Sequence, residues 1–221
     1  MSYSVKEIYL TLQGEGFHTG KHAVFCRFSG CNLWTGLEKD REKAVCTFCD
    51  TDFVGTDGLN GAKYSSAELL AEKIDELWIE DIKEKLVVFT GGEPLLQLNK
   101  KLIDLLHSKK FKIAVETNGT IIPPENIDWI CVSPKNMASV HPEFPIKQTQ
   151  GDELKVVYTG QDLSMYDDLK KGFDNLFLQP CYNEAKDPGT NGKTFHSTFD
   201  MVMQNPGWNL SLQTHKWMGV D

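Results

Sequence analysis

Strand-like and helix-like runs alternate along most of this chain, and a polar segment follows nearly every strand. The strand patterns are HAVFCRF (22–28), LVVFT (86–90), KIAVETNG (112–119), DWICVS (128–133), ELKVVY (153–158), NLFLQ (175–179) and NLSLQTHK (209–216). Helical patterns fall at 65–78, 94–109, 162–171 and 194–205. Ser65 and Glu68 have capping-box spacing before the apolar stripe Leu70, Ile74, Leu77 and Trp78. This alternation predicts a mainly parallel sheet covered by helices. The strand runs are apolar on both faces, as buried parallel strands are.

The segments after the strands are Cys31, TGGEP, ETNG, SPK, QPCY and QTHK. Parallel α/β folds bind ligands at the carboxyl ends of their strands. Six such segments in order predict a ligand site along one sheet edge. Six or seven strands are too few for a closed eight-stranded barrel, so a partial, open (β/α) barrel is expected. The 221 residues contain no Gly/Ser/Pro linker, which predicts one domain over 1–221.

Lys6 and Glu7 stand where a signal peptide needs an apolar core, and no run approaches a membrane span. A cytosolic location and no membrane contact are expected. The net charge of −8 argues against direct nucleic-acid binding. The six cysteines then read as ligands or packed thiols. Cys26 and Cys131 lie inside apolar runs and read as core.

Cys31, Cys46 and Cys49 are different. The last two form C-x-x-C, and the first stands upstream across the insert 32–45. Three thiolates can hold a four-iron cluster with one iron open to substrate. They can also form a structural zinc site closed by His18 or His22. Spacing alone leaves both open. The insert contains six consecutive charged residues, Glu38 to Lys43, which read as a solvated loop or helix. Its start, Asn32-Leu33-Trp34, is apolar and is expected to return over the thiols as a lid.

TGGEP after the second strand, joined to this cysteine pattern, resembles the radical S-adenosylmethionine enzymes. TLQGEG, FCRFSGCNLW, CTFCDTDFVGTDG, TGGEPLLQL, ETNG, DWICVSPK, ELKVV and LSLQTHK narrow the resemblance to the 7-carboxy-7-deazaguanine synthase family. These motifs span nearly the whole chain. The resemblance implies a carbon–nitrogen lyase of queuosine (7-deazapurine) biosynthesis, a pathway that feeds tRNA modification. Its fold would be the radical SAM partial barrel. Its cofactors would be a [4Fe-4S] cluster, S-adenosyl-L-methionine and Mg2+. Its partners would be a pterin substrate, a flavodoxin- or ferredoxin-like reductant and a second copy of the chain.

The resemblance also implies residue roles. Cys31, Cys46 and Cys49 would hold the cluster, and Thr51 the magnesium. Phe48 would cover the cluster or the adenine, with Asp50 beside it. Gly92 and Glu93 would hold the methionine end of S-adenosylmethionine. Ser133, Pro134, Lys135, Gln179, Pro180, Cys181 and Tyr182 would line the rest of its pocket, with Cys181 as wall and not as a fourth ligand. Leu12, Gln13, Gly14, Glu15, Arg27 and Thr90 would contact the substrate, joined by Glu116, Asn118 and His215. Arg27 suits a carboxylate, because its planar fork binds one bidentately. The terminal Asp221 would also reach the substrate. Another radical S-adenosylmethionine enzyme would share the cysteines and TGGEP but not TLQGEG. A zinc-stabilised binding module would share only the cysteines.

Overall fold

The computed structural model describes residues 2–135, 142–182 and 188–220, and the side chains of these apart from 188–190. The described residues form one nine-stranded open sheet. The strands are β1 (Tyr3–Leu12), β2 (His22–Phe28), β3 (Ala62–Tyr64), β4 (Lys85–Gly91), β5 (Phe111–Thr117), β6 (Trp129–Val132), β7 (Gly151–Tyr158), β8 (Phe173–Pro180) and β9 (Asn209–Leu210). The helices are α1 (Ala67–Glu76), α2 (Lys100–Ser108), α3 (Pro188–Gln204) and α4 (Thr214–Met218). The strand order is β3-β1-β2-β4-β5-β6-β7-β8-β9. From β2 to β9 all neighbours are parallel; β1 and β3 pair antiparallel at one edge. The expected open, mainly parallel sheet is present. The sequence pattern did not reveal β1 or β3, because β1 mixes polar and apolar residues and β3, at the edge, is three residues long.

Strand alternation sends two different sets of residues to the two faces. The outer face carries Val24, Cys26, Phe28, Val87, Phe89, Ile113 and Val115, all fully buried under α1 and α2. A second outer cluster joins Leu154, Val156, Tyr158 and Leu178 to Trp208. The inner face is graded. At the amino ends of the strands it is apolar, with Ala23, Leu86, Val88 and Ala114. Toward the carboxyl ends it becomes polar, with Arg27, Thr90, Glu116, Lys155 and Gln179 lining a cavity.

Several local expectations differ from what forms. Ser66, not Ser65, caps α1 by accepting from the Leu69 N–H at 3.3 Å, while Glu68 pairs with Lys101 at 2.6 Å. The run 94–109 is broken. Pro94–Leu96 is a 3-10 turn, and Asn99 caps a separate α2 by accepting from the Leu102 N–H at 3.1 Å. The stretch 162–171 forms two 3-10 turns, Leu163–Tyr166 and Leu169–Gly172, in place of a helix. The final strand stops at Leu210, and Thr214 begins α4.

Candidate active site

The cavity opens along the carboxyl edge of the sheet and has a volume of about 590 Å³. Cys31 follows β2, while Cys46 and Cys49 close the insert; all three thiols line one wall. Cys46 donates its S–H to Cys49. That bond lowers the Cys49 pKa to about 6 against the effect of burial, with help from the Thr51 backbone and Lys135. The same bond and burial raise Cys46. Leu33, Val45 and Cys46 form a small buried cluster against Cys31, Phe48 and Cys49.

The insert behaves as the expected lid. Its charged run is a 3-10 helix, Glu38–Lys43, with no buried residue. Its apolar start turns inward: Trp34 is only 8% exposed and lines the cavity. Arg41 lies over the Trp34 ring at 4.2 Å and donates to the carbonyl oxygens of Thr47 and Cys49. The insert is therefore fastened to the loop that carries the thiols.

TGGEP supplies the next wall. A Cβ at Gly92 would collide with the Gly30 carbonyl and Cys31, so glycine is what allows β4 to press against the cysteine loop. Gly92 lines the cavity, but Glu93 does not. Glu93 is fully buried behind the wall and accepts from Thr117 Oγ1 (2.8 Å) and the N–H groups of Asn118 (2.8 Å) and Leu95 (3.0 Å). Its carboxylate ties the end of β4 to the end of β5.

The substrate-side residues meet at the floor. Lys155 of β7 bridges Glu15 at 2.8 Å and Glu116 at 2.9 Å, with its side chain 5% exposed. Burial alone would raise the Glu15 pKa; the Lys155 charge and hydrogen bond, then Gln213, outweigh it and hold Glu15 at about 2. Arg27 pairs through Nε with Glu7 at 2.7 Å, which fixes the guanidinium plane beside the cavity. Asn118 donates to Asn32 at 2.9 Å, joining the β5 end to the insert. The terminal segment folds over this floor. Gln213 donates to Glu15 (3.0 Å) and Asp50 (3.3 Å), and Lys216 pairs with Asp50 at 2.5 Å.

Leu12, Gln13, Gly14, Asp50, Thr51, Thr90, Ser133, Lys135, Gln179, Pro180, Cys181, Tyr182 and His215 also line the cavity. Pro134 is buried but does not reach it. Asp221 lies outside the described residues. His18 and His22 do not line the cavity; His18 instead packs against Trp129. A zinc closed by either histidine has no support in this arrangement.

The chain is 51% identical to the 7-carboxy-7-deazaguanine synthase of Caulobacter vibrioides, with full coverage of both chains. It belongs to the 7-carboxy-7-deazaguanine synthase family. Its counterpart from Bordetella pertussis is 49% identical, again over both full lengths. The crystal structure of QueE from Escherichia coli superposes with a TM-score of 0.69 at 26% identity, covering 96% of this chain and 94% of that one. The Radical SAM superfamily pattern matches residues 42–143, starting inside the insert and so downstream of Cys31.

The family's [4Fe-4S] cluster and S-adenosylmethionine fit the residues present. No three His, Cys, Asp or Glu side chains among the described residues surround one point as ligands of a single metal ion. Three thiols grouped on one wall are the donor set that a four-iron cluster with one open iron takes, each thiolate holding a different iron. The three-thiol wall lies beside Gly92, Ser133 and Lys135, and polar groups converge opposite it. Four functional candidates were missed from sequence: Lys155, Gln213, Lys216 and Glu7. Lys155 and Glu153 left a legible trace, as charges two apart in a central parallel strand, where both must point inward.

Proposed function

We propose that this chain converts 6-carboxy-5,6,7,8-tetrahydropterin to 7-carboxy-7-deazaguanine and ammonia. The single observation that carries this reading is the shared cavity: three thiols on one wall face a floor of Glu15, Glu116 and Arg27. Cys31, Cys46 and Cys49 would hold the cluster. When bound and reduced, it supplies the electron for reductive cleavage of S-adenosylmethionine, which opens hydrogen abstraction at the pterin C6.

The chain's own residues bind and orient. Gln13 and Glu15 suit the amide and amine edge of the pterin, and Arg27, held by Glu7, suits its carboxylate. Thr51, which lines the cavity, would complete a magnesium site built mainly from substrate oxygens and water. Leu33, Trp34 and Phe48 exclude water from the cluster side. We assign the whole chain to one catalytic domain, working in the cytoplasm as a homodimer. A flavodoxin- or ferredoxin-like protein is its reductant. Among the described residues no helix is long and apolar enough to cross a membrane.

The test is anaerobic turnover with 6-carboxytetrahydropterin, S-adenosylmethionine, reductant and magnesium. Formation of 7-carboxy-7-deazaguanine is expected. A cluster-loaded protein that cleaves S-adenosylmethionine yet never yields this product would overturn the assignment.

A further inference from the structure

Three elements far apart in sequence meet at the cavity floor. Glu15 lies in the turn after β1, Glu116 near the end of β5, and Lys155 in the middle of β7. β6 runs between β5 and β7, and its residue in register with Glu116 is Cys131. A small thiol there leaves room for Lys155 to reach across to Glu116. The same ammonium also reaches Glu15 at 2.8 Å. Gln13 donates to Glu116 at 3.3 Å and Gln213 to Glu15 at 3.0 Å. All of these except Cys131 line the cavity.

The net charge of the group is negative: two carboxylates against one ammonium. Such a floor accepts hydrogen bonds; it rejects ligand acceptors. The pyrimidine edge of a pterin presents an N–H and an amino group, both donors. We infer that Lys155 is a positioning residue that holds Glu15 and Glu116 together as acceptors toward the donor edge of a 2-amino-4-oxo heterocycle. The inference rests on the pterin reading above and adds to it a reason for the buried lysine.

Without Lys155, two half-buried carboxylates would lose their shared cation and keep only the Gln213 and Gln13 hydrogen bonds. Like charges that share a site favour uptake of a proton by one of them. A protonated carboxyl is itself a donor, so it would oppose the ligand's donors. Other groups facing this pair are Glu153 and Cys131 toward Lys155, and His215 toward Glu15. Glu153 titrates under the influence of Lys155, so each protein is compared in a Glu153→Gln background, which isolates the effect of Lys155 on the pair.

The experiment is equilibrium binding of 6-carboxypterin to cluster-loaded protein in that background, wild type at Lys155 against Lys155→Met and Lys155→Arg, at about pH 6 and about pH 8. Wild type is expected to change little between them. Lys155→Met should bind roughly tenfold more weakly at the higher pH and lose roughly another tenfold at the lower. Lys155→Arg should keep the flat profile. If Lys155→Met binds with wild-type affinity and the same flat profile, the inference fails while the pterin reading stands. If wild type binds S-adenosylmethionine but not 6-carboxypterin, both fail. Should Lys155→Met not fold, Glu116→Gln leaves Lys155 paired with Glu15; it is expected to weaken binding roughly tenfold with no pH dependence. Unchanged binding by that variant overturns the inference.

Discussion

Arg41 donates to the carbonyl oxygen of Cys49 at 3.0 Å, across the mouth of the insert. The same side chain covers the Trp34 ring and reaches Thr47. One residue from the most charged stretch of the sequence therefore fixes the backbone on which a cluster-ligand loop depends. Arg41→Ala removes the two hydrogen bonds to the loop carbonyls, the exposed ion pair with Glu38 and a cation–π contact. We expect the cluster to be lost to a chelator roughly tenfold faster, followed by decay of its visible absorbance. An unchanged decay rate would show that the insert does not brace the loop.

On the proposed reading, the cysteines divide into ligands and wall. Replacement of Cys31, Cys46 or Cys49 by Ala should leave little bound iron after anaerobic reconstitution. Cys181→Ser should retain about four iron and four sulfide per chain. Iron and sulfide analysis of the four variants checks the division; loss of the cluster from Cys181→Ser would contradict it.

Glu153 sets a pH dependence of stability. Burial is the chief cause that raises its pKa to about 7 from the ordinary 4.5, since only the Phe17 and Trp129 N–H groups reach one oxygen, at 3.3 Å each. An acid with a raised folded pKa keeps its proton where the unfolded chain has lost it. Its contribution to stability therefore falls as pH rises from about 4.5 to about 7. Urea unfolding across that window should show a shallower decline for Glu153→Gln than for wild type. Parallel curves for the two proteins would remove Glu153 as the cause.

The end of the chain completes the cavity. Gly219 and Val220 line it, and Gln213 and Lys216 fasten the preceding turn to Glu15 and Asp50. Deletion of residues 219–221 should lower turnover sharply while iron content stays at the wild-type level. Near-normal turnover by the truncated protein would rule out a substrate contact from the terminus.

Some of this architecture could be read directly from residue order. Apolar runs alternating with amphipathic ones imposed a parallel sheet. Glycine, proline and cysteine after the strands marked the edge that carries the cavity. Trp34 beside an apolar Leu33 announced that the insert would fold back. Strand β1 escaped notice because its alternating pattern is weak beside the buried runs. Ser65 and the helix over 94–109 misled for a local reason. Neighbouring Ser66 and Asn99 offered competing caps, and which backbone N–H each side chain reaches is decided by the path of the chain.

By itself the sequence determined seven of the nine strands, the three thiols and the family. Tertiary structure alone decided what the charged side chains face. Glu93 reads as a ligand residue until β5 arrives beside it and takes both its oxygens. Lys155 reads as one polar position in an apolar strand until Glu15 and Glu116 close on it from either side. The physical reason is range. Backbone preference and hydrophobic periodicity act over a few residues, whereas a buried charge must be satisfied by whichever partners the fold brings within hydrogen-bond reach.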